Sequence, residues 1–180
     1  MRRGAAPPAA PAGAAAARRR PLRLGVALAL LTLVLDQASK LWVLFGARLG
    51  EAPPVAVTPF LDLTLVWNRG ISYGLFQMSD AAGRWLLVGL TALATLAMGV
   101  WLARTRDLMT AAGLGLIVGG AAGNLIDRVW WGAVVDFVHF HVGDFSWYVF
   151  NVADAAIVAG VLLLLPDSFR RPGGEGAAPH

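Results

Sequence analysis

Four apolar runs, each near the length of a membrane span, limit what this chain can fold into more than any other feature. They are Leu24–Gly46, Trp85–Ala103, Leu108–Ile126 and Trp147–Leu165. A helix needs roughly 20 residues, at about 1.5 Å each, to cross the hydrocarbon core. The 180 residues are 57% hydrophobic and only 14% charged, with a mean hydropathy of +0.63. A soluble domain of this size cannot hide so much apolar surface, so the excess must face lipid. The fold expected is an all-α polytopic membrane protein of four transmembrane helices with a small extracytoplasmic β-like platform.

The platform comes from the two longer connections. Residues 47–83 contain Pro53, Pro54 and Pro59 and the β-branched and aromatic stretch Phe60–Trp67. The second connection contains the strand-like run Val134–Val142. Such stretches predict strands lying outside the membrane. Residues 1–20 are mostly Ala, Pro and Arg without apolar periodicity and predict a disordered arm, leaving 21–168 as the membrane domain and 169–180 as a tail. A basic segment before an apolar run also describes a secretory signal peptide, but no small-residue cleavage site follows, and the run continues through Asp36 and Lys40.

Orientation follows from the basic residues. The arm, the Arg104–Asp107 loop and the tail carry ten Lys and Arg, against Arg48, Arg69, Arg84 and Arg128 on the other side. Basic flanks favour the cytoplasm, so both termini are expected inside and both longer connections outside. The net charge of +4 raises nucleic-acid binding as an alternative. Its concentration at the helix flanks, without interleaved aromatics, argues against it. The absence of cysteine excludes thiolate metal sites and a Cys nucleophile.

Polar groups then occur where lipid makes them costly, about 2.5 to 3.5 kcal/mol for a carboxylate at mid-membrane. Asp36 lies twelve residues after Leu24, about 18 Å from the inner face and hence in the outer half of the bilayer. Asn124, Asp127 and Arg128 cap the outer end of the third run, and Asp136 lies in the connection after it. Asn151 and Asp154 sit one to two turns inside the fourth run, Asp154 about 10 Å below Trp147. All reach one level, with Lys40 and Arg128 as counter-charges and Arg128 as the expected partner of Asp127. A single Asn or Asp at a helix end is more often a cap than a catalyst, so the case rests on convergence.

Other features carry less. His139 and His141 alternate along a strand-like run and could face a metal, but two His without a third partner suit an interfacial strand better. Ser39 and Lys40 are adjacent on a helix and point about 100° apart, so they do not form a Ser-Lys dyad, although Ser72 could reach the chain's one lysine. Gly113–Gly123 lacks a P-loop lysine and suits close helix packing. Trp85 and Trp147 suit an interfacial aromatic belt. A proton relay or small transporter also needs carboxylates inside helices, but here they gather at one face and form no path across.

The sequence resembles the lipoprotein signal peptidases, or signal peptidase II family, in five boxes taken in order. They are DQASK at Asp36–Lys40, NRGISYG at Asn68–Gly74, GNLIDR at Gly123–Arg128, VVDF at Val134–Phe137 and FNVAD at Phe150–Asp154. The longer Ala/Pro-rich arm departs from the family pattern. The resemblance implies a membrane aspartic endopeptidase of the bacterial inner membrane, cutting diacylglyceryl-modified prolipoproteins just before the lipidated cysteine. It implies Asp136 and Asp154 as the catalytic pair. Asp36, Lys40, Asn68, Gly70, Asn124, Asp127, Arg128 and Asn151 would support them or bind substrate. No metal, cofactor or nucleic acid is expected, and the protein is read as a monomer among membrane lipids. Two carboxylates sharing one proton fit this chemistry, one acting as base toward water and the other as acid. Gly70 and Gly74 suit a movable cover over the acidic cluster.

Overall fold

The computed structural model describes residues 12–70, 81–143 and 145–169. Helix α1 (Ala12–Leu41) continues into one π-helical stretch, Trp42–Gly46. Strands β1 (Val55–Thr58) and β2 (Leu61–Asn68) follow, then the antiparallel-loop pair α2 (Ala81–Arg104) and α3 (Leu108–Trp130), strands β3 (Val134–Val142) and β4 (Phe145–Phe150), and α4 (Val152–Phe169). Ser72, Gly74 and the expected cover lie outside the described residues, as does the arm before Ala12.

Helix α3 is the central element, packed against α1, α2 and α4. Its glycines explain how. A Cβ at Gly119 would run into the backbone oxygen of Ala29 on α1, and one at Gly113 would come within 2.8 Å of the Gly160 oxygen on α4. Lipid offers no hydrophobic drive between helices, so close backbone approach through small residues takes its place. Apolar residues on the outer faces, such as Val34 on α1 and Leu93 on α2, are exposed. Among the described residues, three helical stretches are long and apolar enough to cross a membrane: Arg19–Gly46, α2 and α3; the apolar part of α4, Val152–Leu165, is shorter.

The two longer connections build one antiparallel sheet in the order β1-β2-β3-β4. Asn68 stands opposite Val134 and Val66 opposite Asp136, so the first connection is registered against the second. Beneath it, Val135 and Phe137 pack on Val43 and Leu49, joining the sheet to the end of the first helix.

Several element ends differ from expectation. The first helix starts at Ala12 and includes residues 12–20, expected to be disordered; the run Ala14–Ala17 favours helix strongly. The third helix continues to Trp130, so Asn124, Asp127 and Arg128 lie within its last two turns and do not cap it. The fourth helix starts at Val152, because Trp147–Phe150 pair with β3 as strand, with Val138 opposite Phe150. Aromatic and β-branched residues suit that half-buried surface. Asp154 is therefore in the first turn of α4 and not 10 Å down it.

Candidate active site

The ten residues chosen from the five sequence boxes, on α1, β2 and the turn after it, α3, β3 and the start of α4, belong to one hydrogen-bonded cluster. Its inner layer is ionic. Lys40 Nζ lies 2.8 Å from Asp36 Oδ2, one helical turn away, and 2.7 Å from Asp127 Oδ2 on α3. It also donates to Asn124 Oδ1 at 3.0 Å. All three ionic groups are essentially buried. Asp127 thus pairs with Lys40 and not with Arg128, the partner expected from the sequence. The i,i+4 spacing of Asp36 and Lys40 turns both toward α3, and the ammonium is shared there. Arg128 instead donates to the backbone oxygens of Asn124 and Gly70, each at 3.4 Å.

Further donors complete this layer. Ala153 N, in the first turn of α4, donates to Asp36 Oδ1 at 3.0 Å, where a helix N-terminus favours an anion. Val135 N donates to Asp127 Oδ2 at 3.2 Å and ties β3 to α3. Gln37, which the sequence reading missed, donates from Nε2 to Asp36 Oδ2, to the Gly123 oxygen and to Asp127 Oδ1 at 3.0 to 3.2 Å. An amide in an apolar helix, one turn before a lysine, was the signal available.

The outer layer holds Asp136 and Asp154. Asn151 Nδ2 donates to Asp136 Oδ1 at 2.6 Å, and Asn68 Nδ2 to Asp136 Oδ2 at 2.9 Å. Asn124 Nδ2 donates to Asp154 Oδ1 at 2.9 Å. Asn151 also caps α4 reciprocally: Asp154 N donates to Asn151 Oδ1 at 3.0 Å, and Asn151 N to Asp154 Oδ2 at 3.3 Å. This is the capping-box arrangement with Asn and Asp in its two places. One residue therefore starts the helix and holds both carboxylates. Asn68 is aimed by its own turn, since Gly70 N donates to Asn68 Oδ1 at 3.0 Å.

Asn124 couples the layers. Its oxygen accepts from Lys40 and from Asn151, the latter at 3.2 Å, while its nitrogen serves Asp154. An ammonium only donates and a carboxylate accepts, so the amide has one consistent orientation. On β3, burial pushes the Asp136 carboxyl up to about 7, and the nearby charge of Asp154 adds to the rise. Hydrogen bonds from Asn68 and Asn151 and the charge of Lys40 act against it. Burial and the like charge together favour the protonated form of Asp136. An apolar pocket of ≈ 410 Å³ opens beside Asp154, walled by Trp147, Phe150, Ala155, Val158 and Leu162.

The remaining sequence candidates lie elsewhere. Ser39 Oγ donates to the Asp36 backbone oxygen at 2.7 Å. His139 and His141 stack on the sheet and approach Asp62 Oδ2 at 3.7 and 3.0 Å, with Ser146 Oγ 2.7 Å from His139 Nε2. Asp62 is a carboxylate partner of the two rings that local spacing did not reveal. Among the described residues, no three His, Cys, Asp or Glu are placed to hold a metal ion.

Comparison with known proteins matches residues 28–170 to the family model described as Signal peptidase (SPase) II. The lipoprotein signal peptidase of Methylobacterium sp. (strain 4-46) is 59% identical over 149 residues, covering 83% of this chain and 90% of that one. The lipoprotein signal peptidase of Nitrobacter hamburgensis is 54% identical over 155 residues, covering 84% and 94%. A solved bacterial membrane enzyme, determined by the in meso method, superposes with a TM-score of 0.71 at 24% identity, covering 86% of this chain and 94% of that one. A second, at 25% identity, gives 0.70 and covers 82% and 94%.

Proposed function

This chain belongs to the signal peptidase II family, and on that premise we propose that Asp136 and Asp154 are its catalytic pair. The protein is a multi-pass membrane aspartic peptidase that removes signal peptides from prolipoproteins. The observation that carries the residue assignment is the position of Asn151, bonded to both Asp136 and Asp154. In the proposed reaction the ionised carboxylate takes a proton from a water as its oxygen attacks the scissile carbonyl. The protonated partner gives its proton to the departing amide nitrogen. Asn68, Asn124 and Asn151 keep the carboxylate oxygens oriented, and Asp36, Lys40 and Asp127 hold α1 to α3 beneath them.

The substrate reading is a diacylglyceryl prolipoprotein cut just before its lipidated cysteine. The apolar pocket beside Asp154 supports it, because an acyl chain or apolar signal segment could lie there while the scissile bond meets the pair. We read α4 as a fourth span, since its Gly160 packs on Gly113 within the span of α3. Both termini then face the cytoplasm, residues 21–168 form the membrane domain, and the site lies at the outer face of a bacterial inner membrane. The protein acts in that reading as a monomer among lipids.

The decisive test is cleavage of a diacylglyceryl-modified prolipoprotein by detergent-purified protein. Asp136→Asn and Asp154→Asn should each lower turnover by more than about a hundredfold, and the double change should add little, because the pair acts as a unit. A folded Asp154→Asn protein within about tenfold of the parent would refute the assignment.

A further inference from the structure

The last turn of α3 ends in backbone carbonyls without partners inside the helix. Arg84, from the first turns of α2, reaches two of them: Nε donates to the Arg128 oxygen at 2.9 Å and Nη2 to the Val129 oxygen at 2.6 Å. Its guanidinium is steadied 5.3 Å from the centre of the Trp85 ring. A cation at a helix C-terminus also suits the helix dipole.

The chain turns there. Trp131 N donates to the Asp127 oxygen at 2.7 Å, and Gly132 takes φ +77°, with room for a Cβ only 3.3 Å from Arg84 Nη1. β3 begins at Val134, and Val135 N is held by Asp127. Asp136 follows directly, seven residues after the clamped Val129 oxygen.

We propose that Arg84, which no motif of the chain includes, is a positioning residue for catalysis: it clamps the α3–β3 turn and so fixes the aim of Asp136 toward Asp154. The inference rests on the reading of Asp136 and Asp154 as the catalytic pair. Arg84 acts through backbone oxygens. Its planar fork serves two of them at once, which a lysine ammonium does less well. Small misplacement of a reacting group costs up to about a hundredfold in rate.

The test uses the full chain in detergent with a diacylglyceryl prolipoprotein, comparing Arg84→Gln and Arg84→Lys with the parent per folded molecule across pH. Arg84→Gln should lose about tenfold to a hundredfold in kcat with KM nearly unchanged, and Arg84→Lys should fall between. Asp136 faces Asp154, Lys40, Arg128, Asn68 and Asn151; if it drifts outward, burial and the charge of Asp154 act on it less. The high-pH limb of turnover should then move to lower pH in both variants, a shift that loss of folded protein alone would not produce. If Arg84→Gln does not fold, the limb of Arg84→Lys decides. Parent-like kcat, or an unmoved limb, overturns the role of Arg84. Asp136→Asn, run alongside, separates the two readings: if it stays active the pair is wrong, and if it is inactive beside parent-like Arg84 variants only the clamp is wrong.

Discussion

Replacing Lys40 by methionine, which has similar bulk and no charge, probes the inner layer most directly. Lys40 is 2% exposed and meets Asp36, Asp127 and Asn124 at 2.7 to 3.0 Å. Its removal leaves two buried carboxylates facing each other's charge without the shared cation. Breaking a buried ion pair by removing one partner costs about 3 to 5 kcal/mol. That is a large share of a typical net stability of about 5 to 15 kcal/mol. Thermal unfolding in a fixed detergent, followed by tryptophan fluorescence, should show Tm lower by roughly 6 to 20 °C, taking about 2 to 4 °C per kcal/mol for a chain of this size. Adding Asp127→Asn to Lys40→Met should recover a substantial part, since one uncompensated charge is then gone. A fall of less than about 2 °C, or no recovery in the double variant, would show that the carboxylates do not depend on the ammonium. The same geometry bears on a Ser-Lys mechanism. The ammonium is committed to three acceptors, so it presents no lone pair to a serine.

Asn151→Ala should be doubly costly: about 1 to 2 kcal/mol of stability from the lost helix cap, seen as a lower Tm, and a drop in turnover per folded molecule from release of Asp136 and Asp154. Equal turnover per folded molecule would remove Asn151 from the site. Single cysteines placed at positions 60 and 140, in a chain with none of its own, should react with an impermeant maleimide from the outer side of the inner membrane. Labelling only from the cytoplasmic side reverses the proposed topology.

Much of this site was legible because depth in a membrane is a one-dimensional quantity. Counting residues from a basic flank placed Asp36 at the level of Asn124 and Asp136, and the structure joins them through Lys40 and Asn151. Strand β3 was also readable, since the run Val134–Val142 is rich in β-branched and aromatic residues and forms β3 over those residues. Failures arose where the partner is distant in sequence. Trp147–Phe150 are apolar and aromatic, equally suited to helix or strand, and pairing with β3 decides for strand. The choice of Lys40 over Arg128 as partner of Asp127 depends on how α1 rotates against α3, which Gly119 and Gly123 permit by their lack of side chains. Asp62 meeting His139 follows from the register of β2 on β3. No local pattern encodes that register.

The raised Asp136 carboxyl gives the site a pH dependence whose direction can be worked out. Its ordinary value is 3.8 and its value in the fold is about 7, so between those limits the folded protein holds a proton that the unfolded chain has released. Stability must then fall as pH rises through this window, by up to about 1.4 kcal/mol per unit from this group. Turnover should fall on the alkaline side near pH 7, where the pair loses its one shared proton. Asn68 donates to the Asp136 carboxylate and so favours its charged form, in opposition to burial and to Asp154. Asn68→Ala removes that donor. The alkaline limb of kcat should therefore move to higher pH even as kcat itself declines from poorer orientation, whereas simple loosening of the sheet would hydrate Asp136 and move the limb down. Measured on folded protein between pH 5 and about pH 9, a range spanning the expected limb, a downward shift would mean that Asn68 serves mainly to exclude water. An upward shift would identify its amide as a donor that stabilises the charged form of Asp136.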